Sequence, residues 1–145
     1  MLISTAERNI SELDYIRLMN LLRDDLGRSE VPPQSLHRLY LLLNSAQRCR
    51  PEEIQEDTVT MNSDIMVRST RTGLKSIIRI IYPAEKPLFE NLQDKVRYLT
   101  IYDPIALGLL GHKVDDMCCD FQDSLEPVVI EKVLFQPETH KLFNL

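Results

Sequence analysis

The period of the apolar residues changes once along this chain, near Pro51, and that change constrains the fold more than any other feature. Before it, Leu13, Ile16, Met19, Leu22 and Leu26 recur at helical spacing, with Tyr15 and Leu18 widening the stripe. After it, apolar residues come in short runs rich in Val, Ile and Tyr, separated by turn residues, as strands require. Helical and strand periods segregated in this way predict an α+β architecture.

The boundaries follow from local chemistry. Ser11 is placed to cap a helix starting at Glu12, and Gly27 to end it. Residues 27–33 (GRSEVPP) form a turn, because the paired prolines cannot continue a helix from upstream. A second helix runs from about Pro33 to Arg48 on Leu36, Leu39, Leu43 and Ala46, with Tyr40 and Leu42 alongside. Two helices of about 15 residues, hence about 22 Å, joined by a short turn are expected to pair as an antiparallel hairpin, a short coiled coil over residues 1–50. The acidic linker 50–57 (RPEEIQED) leads to residues 51–145. There strands are expected around 59–67, 77–82, 96–102, 117–121 and 128–135, forming an antiparallel sheet crossed by one short helix. Asp103 and Pro104 supply that helix's cap and first residue, and Gly111 its stop. No strand is expected before Pro51.

A chain of 145 residues buries enough surface to hold a core without disulfide or metal. Its net charge of −5, from 17 basic and 22 acidic side chains, argues against direct sequence-specific nucleic-acid binding. Arg68, Arg71, Lys75 and Arg79 are the best basic patch, readable also as a solvated strand face. Cys49, Cys118 and Cys119 lack the spacing of a zinc site, and with no secretory signal at the start they fit a cytoplasmic protein. No apolar stretch approaches the ~20 residues of a membrane span, so no membrane partner is expected. His37, His112 and His140 are far apart in sequence, and no nucleophile elbow or phosphate-cradling loop is present. No catalytic residue, metal or cofactor is expected, and the chain is read as a non-enzyme. Asp24, Asp25 and Glu30 fall at the tip of the helical pair, where acids oppose the helix dipole. They are either solvated charges or carboxylates set to ligate Mg²⁺.

Residues 57–63 (DTVTMNS), 79–85 (RIIYPAE), 101–113 (IYDPIALGLLGHK) and 133–137 (VLFQP) occur in the order and spacing of the C-terminal domain of the bacterial Gre transcript-cleavage factors. With the helical pair in front, the chain resembles that superfamily, and most closely its Rnk-like branch, the regulators of nucleoside diphosphate kinase. The resemblance implies an FKBP-like domain that binds RNA polymerase at the rim of the secondary channel, with Asp103, Pro104 and Ile105 in the docking segment. It also implies competition with Gre-type factors for that position. The helical pair is much shorter than a Gre coiled coil and lacks the Gre tip motif, so no transcript cleavage is expected of this chain. Two other activities fit parts of the pattern: cleavage stimulation through Asp24, Asp25 or Glu30, and peptidyl-prolyl isomerisation, suggested by the FKBP-like fold alone.

Overall fold

The computed structural model describes residues 7–28, 30–85, 95–118 and 127–142. Strand β1 (Asn9–Ser11) leads directly into helix α1 (Glu12–Asp25), and helix α2 (Pro33–Ser45) into strand β2 (Gln47–Cys49). Ser11 caps α1 as its position predicts, its hydroxyl accepting from the Asp14 N–H at 3.0 Å. Gly27 lies just past the helix with φ +86°, a conformation that costs a glycine little. The prolines 32 and 33 stand at the start of α2.

The expectation of no strand before Pro51 is corrected: β1 and β2 pair in parallel, Asn9 opposite Gln47 and Ser11 opposite Cys49. Strands of three residues are too short to show a period of two. The outer side of β1 is tied to a third segment, the Asn9 N–H donating to the Gly111 carbonyl at 3.0 Å.

Five strands form the main sheet, in the order β5-β4-β3-β7-β6: β3 (Asp64–Ser69), β4 (Lys75–Ile81), β5 (Val96–Thr100), β6 (Met117–Cys118) and β7 (Val128–Phe135). The sheet is mixed, which corrects the expected antiparallel one. β4 and β5 run parallel, with Ile77 opposite Val96 and Ile81 opposite Thr100. A parallel pair needs a crossover of a dozen or more residues, and residues 82–95 supply that length. The strand expected at 59–67 begins only at Asp64. Upstream, residues 57–63 form a buried loop with Asn62 in the left-handed region (φ 63°), a conformation asparagine tolerates. The part of the 117–121 strand beyond Cys118, with Cys119 and Phe121, lies outside the described residues.

Helix α3 (Pro104–Leu109) follows β5 after a tight turn, with Asp103 as its cap. Among the described residues, one cluster of buried apolar side chains runs through both halves of the chain. Ile10, Leu18, Leu22, Leu39 and Leu43 meet Met61, Ile65, Ile80, Ile101, Leu109 and Ile130 within it. Among the described residues no helix is long and apolar enough to cross a membrane.

The buried stripe of α1 differs from the expected one. Asp14, Leu18, Leu22 and Asp25 are buried, whereas Ile16 and Leu26 are 54% and 62% exposed. The helix is rotated from its most apolar orientation, and acids occupy both ends of its buried face. Each acid has a specific partner across the chain.

Candidate functional site

Asp103, Pro104 and Ile105 sit at the start of α3, all half-buried rather than fully exposed. The Asp103 carboxylate accepts from the Ile105 N–H at 2.9 Å, and the Asp103 carbonyl accepts from the Leu107 N–H at 2.9 Å. The turn before it is closed by the Asp103 N–H donating to the Thr100 carbonyl, also at 2.9 Å. The rest of α3, from Ala106 to Leu109, is buried. This segment therefore has a fixed backbone and presents only its first residues.

The tip acids are not gathered into one cluster. Asp24 and Glu30 are exposed, but Asp25 turns inward and accepts a hydrogen bond from the Tyr102 hydroxyl at 2.6 Å. Tyr102 is 8% exposed and immediately precedes Asp103. Burial, then the bond to Asp25, raises the tyrosine's pKa above its usual value, so the phenol stays a donor. Residues predicted as two separate sites, the tip and the docking segment, are thus joined through one bond. Among the described residues no three His, Cys, Asp or Glu side chains are grouped to hold a metal ion.

The other end of α3 is held from the same half of the chain. The Arg8 guanidinium donates to the Leu107 carbonyl at 2.6 Å. Gly111, just after α3, has φ +85°, and a β-carbon there would stand 2.9 Å from the Arg8 Cβ. The backbone of residues 8–9 thus crosses the exit of α3 at van der Waals distance. Downstream, His112 is 4% exposed, with its Nδ1 3.0 Å from the Asp116 carboxylate. Burial lowers its pKa. Its partner is thus a carboxylate. His37 is exposed on α2, and His140 is stacked on Phe135 with centroids 5.1 Å apart.

Sequence reasoning missed a second polar centre, at the start of α1. The Asp14 carboxylate accepts from the Met61 N–H and from the Tyr82 hydroxyl, both at 3.2 Å. In the loop below, the Thr60 hydroxyl lies 2.6 Å from that of Ser63 and 2.8 Å from the Glu138 carboxylate. Burial, and then the negative charge of Glu138, push the Asp14 pKa up to about 7. Its one sequence signal was an acid at the i−4 position from Leu18, on a face otherwise apolar.

The basic patch is largely neutralised in place. Arg79 makes a two-pronged bond to Asp64 at 2.6 and 2.8 Å, while Arg68 and Lys75 share Glu131 at 2.8 and 3.0 Å. Such pairing leaves little net positive charge to attract a phosphate backbone.

No protein-family model matches the chain. Over 74 residues it is 35% identical to the regulator of nucleoside diphosphate kinase of Escherichia coli strain K12, and equally to that of Shigella flexneri. The match takes in 51% of this chain and 50% of each relative, so it spans about half the length of those proteins. Among solved structures, the prokaryotic transcription elongation factor GreA/GreB from Nitrosomonas europaea superposes with a TM-score of 0.66 at 25% identity. That likeness covers 90% of this chain and all of the other. The chain is Gre-like, with relatives among the regulators of nucleoside diphosphate kinase.

Proposed function

We propose that this chain is a cytoplasmic, non-enzymatic regulator of bacterial transcription that binds RNA polymerase at the rim of its secondary channel and competes there with Gre-type factors. In this reading residues 51–145 form the FKBP-like docking domain, residues 1–50 a short antiparallel hairpin, and Asp103, Pro104 and Ile105 the contact segment. It needs no cofactor, and no direct nucleic-acid contact of its own. The observation that carries the proposal is the Gre-like fold over nine-tenths of the chain, with the segment at the start of α3 held by its own cap. A contact presented on fixed backbone loses little entropy on binding.

The same reading denies the chain transcript cleavage. A cleavage factor must deliver carboxylates as inner-sphere ligands, at about 2.0–2.1 Å from Mg²⁺. Asp25 is already bonded to Tyr102, which leaves Asp24 and Glu30 as exposed tip acids. Helix α1, 14 residues long, measures about 21 Å. Its two ends are fastened to Tyr82 and Tyr102, so it lies along the second half of the chain rather than projecting beyond it.

The test uses purified core polymerase and a Gre factor. Retention of this chain on polymerase, with displacement by excess Gre factor, is the expected result. Absence of binding defeats the proposal. Mixed with a backtracked elongation complex and Mg²⁺, the chain is expected to leave RNA cleavage at its basal rate. Acceleration that disappears on Asp24→Ala defeats the non-enzymatic part alone.

A further inference from the structure

The docking segment belongs to the second half of the chain, but both ends of its helix are held by the first half. Tyr102, adjoining the cap residue Asp103, gives its hydroxyl proton to Asp25 at the end of α1. Leu107, in the last turn of α3, accepts from Arg8 ahead of β1. These two contacts span 77 and 99 residues of sequence. Arg8 and Asp25 are themselves fixed, Arg8 because its carbonyl accepts from the Gln47 N–H at 2.8 Å and Asp25 because it ends a packed helix.

The placement of Asp25 runs against its local environment. A carboxylate in the last turn of a helix faces the negative end of the dipole, and a position at the edge of the core costs it hydration. Asp24, the preceding residue, is exposed. A side chain held in an unfavourable position by a single 2.6 Å hydrogen bond acts on its partner. That partner's next three residues are the proposed contact.

We propose that Asp25 is a positioning residue for the docking segment: through the Tyr102 hydroxyl it fixes Asp103–Ile105 in the orientation that the polymerase contact requires. This rests on the docking reading above. In it the helical half is a brace that sets the contact from behind, and Asp25 never touches polymerase. Arg8 braces the opposite end of α3.

The experiment compares Tyr102→Phe, Asp25→Ala, Asp25→Asn and Asp24→Ala, each in the full chain. Two readouts are taken: affinity for core polymerase, and amide hydrogen exchange at Ile105 and Leu107, whose N–H groups report the cap. Tyr102→Phe and Asp25→Ala are expected to lose about ten-fold in affinity, and the double variant no more than either alone, because the two groups form one coupled pair. Both variants should speed exchange at Ile105 and Leu107 while leaving the β3–β4 amides unchanged. Asp25→Asn keeps an acceptor oxygen and is expected to restore both readouts, which a role of the charge itself would not allow. Asp24→Ala should change neither.

Unchanged exchange at Ile105 and Leu107 in Tyr102→Phe overturns the inference, whether or not polymerase binds. Faster exchange with undiminished affinity also overturns it, because the segment then needs no orientation. If the wild-type chain fails to bind polymerase while exchange responds as expected, the docking reading falls and the brace on α3 stands.

Discussion

The two ends of α1 make the same kind of contact with different consequences. Each carries a buried acid that accepts from a tyrosine hydroxyl, Asp14 from Tyr82 and Asp25 from Tyr102. The tyrosines follow the adjacent parallel strands β4 and β5, whose C-terminal ends are in register at Ile81 and Thr100, so one end of this strand pair offers both partners. At the first end four segments meet: α1, the 57–63 loop, the end of β4 and the turn at Glu138. At the second, one hydrogen bond reaches a segment that leads straight into α3. An acid shared by several elements holds the fold together, whereas one with a single partner can govern that partner without being essential to folding.

Breaking the first end has the largest expected effect. Asp14→Ala leaves the Met61 N–H and the Tyr82 hydroxyl without an acceptor in the interior, at a cost of about 3 kcal/mol. Thermal unfolding is expected to shift down by roughly 10 °C. Asp14→Asn retains a carbonyl oxygen and should recover most of that loss. A decrease of only a degree or two in Asp14→Ala would mean that the acid is not an anchor.

Gly111 comes next. Alanine there must adopt φ near +85° and place its Cβ 2.9 Å from the Arg8 Cβ and 3.2 Å from the Asn9 carbonyl oxygen. The strained backbone and the collision together should cost about 2 kcal/mol. Because the collision opens the seam between β1 and α3, the variant should also speed exchange at the Asn9 amide, which donates to Gly111.

The shifted pKa of Asp14 gives the first end a pH signature. Its folded value of about 7 lies above the 3.8 of an unperturbed aspartate, so the folded chain holds a proton that the unfolded chain has already released. Its contribution is full below about pH 4 and is lost as pH rises through 7, by roughly 1 kcal/mol per pH unit across that window. His112 acts oppositely: its folded pKa is depressed, so its contribution is lost as pH falls below the unfolded value of 6.5. Urea unfolding of the wild type and Asp14→Asn from pH 4.5 to 8 removes the terms common to both. Their difference should change across the window and flatten above it. A difference independent of pH would mean that Asp14 titrates as an ordinary surface acid.

These contacts also mark what could be read in the sequence. The Ser11 cap and the Asp103-Pro104 start of α3 each depend on a few neighbouring residues, and each is seen where expected. The switch of period near Pro51 separates the two long helices from the main sheet, but β1 and β2 already precede it. The buried face of α1 was misjudged because two of its four buried positions are acids. Ile16 and Leu26, which looked like core, are exposed in their place. An acid is placed inside only when a donor waits there, and the donors lie 47 to 77 residues away. The parallel register of β4 with β5, and of β1 with β2, depends likewise on partners that no local pattern reveals. The start of α3 was legible as a cap and a proline; the bond from the preceding Tyr102 to Asp25 was not.

Breaking the second end should affect stability much less than the first. Asp25→Ala leaves one hydroxyl unsatisfied, but it also removes a carboxylate from the negative end of α1, and that relief offsets part of the loss. A net cost of about 1 kcal/mol is expected in thermal unfolding. A loss as large as that of Asp14→Ala would make both ends anchors and abolish the contrast between them.

The smallest effect is expected at Asp24, and it sharpens the comparison because Asp24 is the immediate neighbour of Asp25. Successive helical residues project about 100° apart, so one of the pair can enter the core edge while the other faces water. Asp24 is exposed, and it feels the same unfavourable dipole. Arg23 and Arg28 lie nearby in sequence, also exposed, so its charge is partly screened as well as solvated. Removing it should therefore alter stability by no more than about 0.5 kcal/mol, in the direction of a slight gain because the acid opposes the dipole. Thermal unfolding at low and high salt is the suitable measurement, since a dipole effect shrinks as salt is added and a buried contact does not. A salt-independent loss above 1 kcal/mol would show that Asp24 has a structural partner. The difference between the adjacent acids would then no longer identify Asp25 as the residue that reaches α3.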